Sequence, residues 1–274
     1  MTSQLFPVSK SLQRDVIGIR VTQGTLEDTA IIKTCAMMSP GIVFQTGQYG
    51  PPIEKLVTRS AVYSPVPQLF IHGCRAEPSM MYFKKGAYTT LQIALQPWAI
   101  KTVLGLEASE IVTRSLSLDP FLTDKLEAKL IKATDTEKRL HILNAFLQNQ
   151  INQHGQRDEL VEESIDYINT HITSITVQSL LSQVGVTNRV LEKHFAQYIG
   201  YSPQKFIQVK RMNAALHLMW TGQYKKLTDV AQALNYYDQA HFIRDMKAFS
   251  WLAPKAITQS IRDFRQDESG IAYT

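Results

Sequence analysis

The chain has 274 residues, a hydrophobic share of 44% and a formal net charge of +5 at pH 7, with a pI of about 9.1. That length suggests two domains, the apolar share is ample for a folded core, and the mild basic bias fits a nucleic-acid partner. Cys35 and Cys74 are too few for a disulfide framework or a zinc site. No run reaches the length of a membrane span, and Met1 to Lys10 lacks a charged stretch followed by an apolar one, so neither membrane insertion nor secretion is expected and the expected location is the cytoplasm.

Residues up to about Gln96 read as short strands. Asp15 to Val21, Ala30 to Cys35, Ile42 to Gln45, Leu56 to Tyr63, Leu69 to His72, Met80 to Phe83 and Thr89 to Leu95 are apolar or β-branched, and Gly, Pro and Ser separate them. Many short strands at near-regular spacing favour a barrel or a sandwich. At Pro97 the texture turns helical. Pro97 to Gly105 is a short helix opened by proline and closed by glycine, and Ala108 to Ile111 suggests another turn. Asp119-Pro120 starts a longer helix with Phe121, Leu122, Leu126, Leu130 and Ile131 on one stripe, and Thr136 to Asn149 continues in helical period through Leu140, Leu143, Leu147 and Ile151. These stripes offer a dimer surface or a face that packs on the strands. Gln148 to Asp158, polar and holding Gly155, is the linker candidate, and Leu160 to His171 opens the next domain.

The most informative stretch follows. Leu180, Leu181 and Val184 share one helical face, Gly185 can take the positive φ that ends a helix, and Thr187 can cap the next one through its hydroxyl. Leu191 and Phe195 then point back to the same small core, while Asn188, Arg189, Glu192 and Lys193 point outward. This is a helix-turn-helix whose polar second helix suits a DNA major groove. The design recurs about fifty residues on. Leu227, Val230, Ala231 and Leu234 form the first face, Asn235 stands where Gly185 stood, and Phe242 and Met246 take the inward places. Both copies run into a turn ending in proline, Gly200-Tyr201-Ser202-Pro203 and Trp251-Leu252-Ala253-Pro254. From Thr187 to Lys255 there are ten Lys and Arg against four acids, so the chain's basic excess is concentrated here.

These residues resemble the AraC/XylS family of bacterial transcription regulators over roughly Ser174 to Ile257. The resemblance implies a DNA-binding domain of two helix-turn-helix units joined by one long helix, here Pro203 to Trp220, with Phe206, Ile207, Val209, Met212, Leu216 and Met219 inward and Lys205, Lys210 and Arg211 outward. The family usually has Gly where Asn235 sits, Ser or Thr where Tyr237 sits, and Gly where Trp251 sits. Leu95 to Glu110 also resembles the end of the cupin-like N-terminal domain of some AraC-like regulators: a strand, a proline-led helix, a leucine-glycine turn and a small-residue turn followed by an acid.

The fold class expected is therefore α+β. It comprises a β-barrel or cupin-like domain with a helical tail at residues 1–152, and an all-α domain with two helix-turn-helix units at 158–262. The function expected is sequence-specific, effector-responsive transcription regulation. The alternative is a regulator that acts mainly through protein contacts because its second unit is degenerate. The DNA-contact candidates are Thr187, Asn188, Arg189, Glu192, Lys193, Lys210, Arg211, Gln239, Ala240, His241, Arg244 and Lys247. Arg and Lys can donate to guanine O6 and N7, Gln can pair with adenine, Glu192 can accept from cytosine N4 and Ala240 can touch a thymine methyl. Lys210, Arg211 and Lys247, with Lys226 and Lys255, suit phosphates, which set affinity rather than sequence choice. Aromatic and Met side chains of the strands, Phe44, Tyr63, Phe70 and Met80 among them, read as core or as the lining of an effector pocket. The partners implied are double-stranded promoter DNA, RNA polymerase, a small-molecule effector and a second copy of the chain, with no membrane.

No cofactor, metal or catalytic residue is expected. None of the seven histidines forms a His-x-His pair or a His-Glu-x-x-His motif, and only His72 falls among the strands, where a cupin-type centre would need clustered ligands. There is no Gly-x-Ser-x-Gly elbow and no phosphate-cradling Gly-Lys-Ser loop.

Overall fold

The computed structural model describes residues 2–112, 115–117, 125–222, 224–252, 256–257, 265–267 and 270–273. The N-terminal part holds β1 (Thr2–Phe6), β2 (Val16–Leu26), β3 (Ala30–Thr34), β4 (Gly41–Gly47), β5 (Ile53–Thr58), β6 (Val62–Tyr63), β7 (Leu69–His72), β8 (Ser79–Phe83) and β9 (Gly86–Leu95), followed by β10 (Ser115–Ser117). One sheet has the order β1-β2-β9-β4-β7-β10. The other is β3-β8-β5-β6, extended beyond β3 by β12 (Gly270–Tyr273) and β11 (Arg265–Asp267). The pairings are antiparallel throughout. Among the described residues neither sheet closes on itself: of the barrel or sandwich that the strand spacing favoured, two open sheets are seen and a closed barrel is not. Spacing fixes strand number and length but not whether the last strand meets the first.

Alternation along the strands divides two cores. Val43, Phe70 and Tyr88 of the first sheet meet Ile53, Leu56 and Phe83 of the second in a small cluster between the sheets. Their neighbours Ile42, Phe44, Leu69 and Ile71 point the other way, as the two-residue period of a strand requires, and join the main core. That second face is covered by α1 (Ala99–Leu104), α3 (Leu126–Lys132) and α4 (Thr136–His154); α2 (Ala108–Ile111) lies further out toward the C-terminal domain. Gly105 ends α1 in the left-handed region at φ 69°, as the sequence suggested. The expected start at Asp119-Pro120 lies outside the described residues. Leu126, Leu130, Leu143, Phe146 and Leu147 are all buried in the chain's own core, while Ile131 is 49% exposed and Phe121 and Leu122 lie outside the described residues, so much of the apolar stripes packs within the chain itself.

The expected linker is mostly helix, because α4 runs to His154 with its polar Gln148, Asn149 and Asn152 on the outer side. Residues 155–158 alone connect it to α5 (Glu159–Thr170), which is followed by α6 (Val177–Val184), α7 (Asn188–Tyr198), α8 (Pro203–Thr221), α9 (Leu227–Ala233) and α10 (Gln239–Ser250). α8 is the joining helix. Ser202 caps it by accepting from Lys205 N, and Pro203 occupies its first turn, where a missing N–H costs nothing. No described helix is long and apolar enough to cross a membrane.

Candidate nucleic-acid interface

The first unit is built as its sequence suggested. Thr176 and Ser179 cap α6 reciprocally, and Gly185 ends it at φ 68°. Leu191 and Phe195 of α7 are fully buried, and Phe195 stands edge-on to Phe206 of α8, with ring centroids 5.9 Å apart. Thr187, Asn188, Arg189, Glu192 and Lys193 are all exposed on the N-terminal half of α7. Thr187 sits at the N-cap with extended backbone, but its hydroxyl makes no capping bond, which leaves it pointing to solvent at the positive end of the helix. Asn188 Nδ2 donates to Glu192 Oε1 at 3.0 Å and so holds the carboxylate beside Arg189 and Lys193.

The second unit departs from the family's usual residues at three positions. Asn235 adopts φ 54°, doing what Gly185 does in the first unit. The cap that Ser or Thr would supply at 237 comes one residue later: Asp238 accepts from His241 N at 2.6 Å. Tyr236 turns into the core against His241 and Phe242, while Tyr237 is 93% exposed. Trp251 takes the left-handed position at φ 62°. Phe242 and Met246 are fully buried, and Gln239, Ala240, Arg244 and Lys247 are exposed. His241 is half-buried, its ring 3.6 Å from Asp245. Burial pushes the Asp245 carboxyl above its ordinary value, against the pull of His241, Lys205, Arg211 and Arg244.

The joining helix corrects part of the expectation. Lys205, Lys210 and Arg211 were read as outward, and all three are half-buried. Lys210 stands near Cys74 of the N-terminal domain, where burial lowers its ammonium below the ordinary value. Arg211 donates to Ile175 O at 2.8 Å and lies over the Tyr236 ring. Lys205 lies over the ring of Phe249. α8 packs against α7, α9 and α10 and runs beside the N-terminal domain at Lys210, so these three polar positions face protein, while Gln204, His217 and Trp220 stay exposed. The structure thus brings Thr187, Asn188, Arg189, Glu192 and Lys193 together on one exposed helix and Gln239, Ala240, Arg244 and Lys247 on the other. Lys210 and Arg211 are not with them, and Lys255 lies outside the described residues.

Sequence reasoning missed the residues that seat this domain on the N-terminal one. Asp15, almost fully buried, accepts from Trp98 Nε1 at 3.1 Å, Thr102 Oγ1 at 3.0 Å and Arg157 Nη1 at 3.0 and 3.1 Å. Arg157 also donates to Glu162, which Arg14 meets from the other side. Farther on, α7 packs against α1 and α2. Gly200 touches Val112, and Tyr201 Oη accepts from Ala76 N at 3.1 Å. No local pattern links an Asp to an Arg in another domain.

Two helix-turn-helix units, each with an exposed, partly basic second helix, joined by one long buried helix, define a bipartite DNA-binding domain of a transcription regulator. Residues 180–260 match the family model described as a helix-turn-helix domain, and this part of the chain is a DNA-binding domain of the AraC type. No curated protein matches the chain. Among solved structures it is similar to ToxT from Vibrio cholerae, solved with an unsaturated fatty acid bound, at 14% identity over 88% of this chain and 94% of that one, with a TM-score of 0.50. That likeness speaks for the fold. Also similar are a probable AraC family transcriptional regulator from Rhodopseudomonas palustris (26% identity, 37% of this chain, 96% of that one, TM-score 0.35) and the AraC-like transcriptional activator CuxR (12%, 77%, 84%, 0.28).

Proposed function

We propose that this chain is a cytoplasmic transcription regulator that reads promoter DNA with both α7 and α10. The carrying observation is that each reading helix exposes a polar N-terminal half, with Arg189 and Lys193 on one and Gln239 and Arg244 on the other. Two such helices suit successive major-groove faces, roughly 34 Å apart. In this reading Arg189, Gln239 and Arg244 meet base edges, Ala240 meets a thymine methyl, Glu192 holds or joins the first set, and Thr187, Asn188, Lys193 and Lys247 meet phosphates or flanking bases. His241, half-buried with its ring 3.6 Å from Asp245, completes the candidate set on α10. Lys210 and Arg211 serve the protein interior. The well-formed cap at Asp238 and the left-handed turn at Asn235 support a working second unit over a degenerate one.

Residues 1–152 form the sensor domain in this reading and 158–262 the DNA-binding domain. The sensor answers to a small-molecule effector, and an unsaturated fatty acid of the kind bound in the ToxT structure is the first to test. A second copy of the chain and RNA polymerase are the protein partners. The test is selection of binding sites by the full-length protein from a random duplex pool, followed by titration at several salt concentrations. A two-part motif should be enriched, and log K should fall linearly with log salt by about 0.9 per phosphate neutralised. Absence of any motif together with salt-independent binding would contradict the proposal.

A further inference from the structure

The last four carbonyls of a helix have no partner within it. At the end of α10 two of these are met from the other domain. Arg59 Nη2 donates to Lys247 O at 2.6 Å, and Ala36 N–H donates to Phe249 O at 2.7 Å. The same Arg59 guanidinium lies over the Trp251 ring, 4.6 Å from its centroid. Trp251 is the residue in the left-handed conformation, where a side chain is strained and glycine is not. Its Nε1, though buried, has no hydrogen-bond partner among the described residues, and the arginine stacks on its ring. Arg59 is exposed, but the turn that carries it is fixed. It sits on a turn between β5 and β6 in which Thr58 Oγ1 accepts from Ser60 N and Ala61 N, and Ser60 Oγ donates to Glu77. A guanidinium at a helix C-terminus also faces the negative end of the helix dipole.

We propose that Arg59 of the N-terminal domain is a positioning residue for the second reading helix: it caps the C-terminus of α10 and holds Trp251 in its left-handed turn, so that base reading by α10 depends on the N-terminal domain staying docked. This rests on the reading of α10 as a DNA-contacting helix. The dependence is built in by the tryptophan. A glycine at 251 would adopt the turn unaided, and α10 would then need Arg59 less. α7 closes on its own chain, with Ile199 N and Gly200 N both donating to Phe195 O.

The test uses full-length protein carrying Arg59→Ala, Arg59→Lys, Trp251→Gly, or Arg59→Ala with Trp251→Gly. Affinity is measured for the selected two-part site and for versions with either half scrambled. Arg59→Ala should weaken binding to the intact site about tenfold, the equivalent of one lost charge-assisted contact, and should do so through the second half alone. Arg59→Lys should not rescue it, since an ammonium cannot stack as a planar guanidinium does. In the Trp251→Gly background the loss should shrink to less than about threefold. Without DNA, amide hydrogen exchange at residues 246–252 should quicken in Arg59→Ala and return toward wild type in the double variant. Equal losses at both halves, or an undiminished loss in the glycine background, would overturn the proposal. So would wild-type exchange at 246–252 in Arg59→Ala. If the wild type selects no motif while exchange responds as described, the DNA reading fails and the cap stands.

Discussion

Replacing Asp15 tests how firmly the two domains are joined. Its carboxylate receives four hydrogen bonds, from Trp98, Thr102 and twice from Arg157, and is almost fully buried. In Asp15→Ala, Trp98 Nε1 and Thr102 Oγ1 lose their partner, at about 1–3 kcal/mol for each buried donor left unsatisfied. Arg157 keeps Glu162 at 2.7 Å, so its charge is not stranded. The ionic share therefore falls below the roughly 3–5 kcal/mol of a wholly broken buried pair; added to about 2–6 kcal/mol for the two donors, it makes a loss of at least about 3 kcal/mol. Arg157→Gln leaves the Trp98 and Thr102 bonds in place but deprives the buried Asp15 carboxylate of its cation, and should cost about 3–5 kcal/mol while loosening the domains from each other. Denaturant unfolding of the full chain, followed by signals from each domain, provides the assay. The single transition of the wild type should split in both variants, and Asp15→Asn with Arg157→Gln should show a coupling of at least about 1 kcal/mol. Additive effects within about 0.5 kcal/mol, or a loss for Asp15→Ala below about 0.5 kcal/mol, would refute the network as the joint.

Three further outcomes are expected. Gly200→Ala should destabilise the chain by about 2–5 kcal/mol in denaturant unfolding, because the backbone there has φ 82° and a Cβ would lie 2.2 Å from Val112 Cγ2; a loss under about 0.5 kcal/mol would count against α7 docking on α2. Burial, helped by the nearby Arg75 charge, lowers the His72 pKa to about 3 from 6.5. Stability linked to His72 is present above the unfolded value and is lost as pH falls below 6.5 toward the folded value, by up to about 1.4 kcal/mol per pH unit, so a His72→Asn variant should show a flatter stability curve between pH 6.5 and 4. Asp238→Ala should cost about 1 kcal/mol of stability and weaken recognition of the second half-site more than the first, read by the same scrambled-site titrations; an even loss across both halves would place the cap's role elsewhere.

What sequence could reveal here follows from distance along the chain. Leu191 with Phe195 and Phe242 with Met246 lie four residues apart, so helical periodicity alone points them inward, and Gly185 and Asn235 mark the turns by their tolerance of positive φ. The displaced cap is legible too once Asp238 is seen to precede the helix as closely as Thr187 does in the first unit. Lys210 and Arg211 were misplaced because periodicity tells which side of a helix is polar and not what stands opposite it; the N-terminal domain and Ile175 stand there. β1 is mostly polar and exposed, and β12 is a four-residue strand added to β3 from the far end of the chain. Neither offers enough alternation to be read. The Arg59 contacts and the Asp15 network join residues 188 and 142 positions apart and leave no local trace.

The central claim is that both reading helices choose bases. Full-length wild type, Arg189→Ala and Arg244→Ala are each put through site selection from one random duplex pool at one fixed salt concentration. Each arginine variant should lose roughly 1–3 kcal/mol on the wild-type site and relax sequence choice at its own base position, one in each half of the motif. Lys247→Ala should weaken all sequences alike and leave the motif intact, as a phosphate contact does. A selected motif left unchanged by both arginine substitutions would contradict the account.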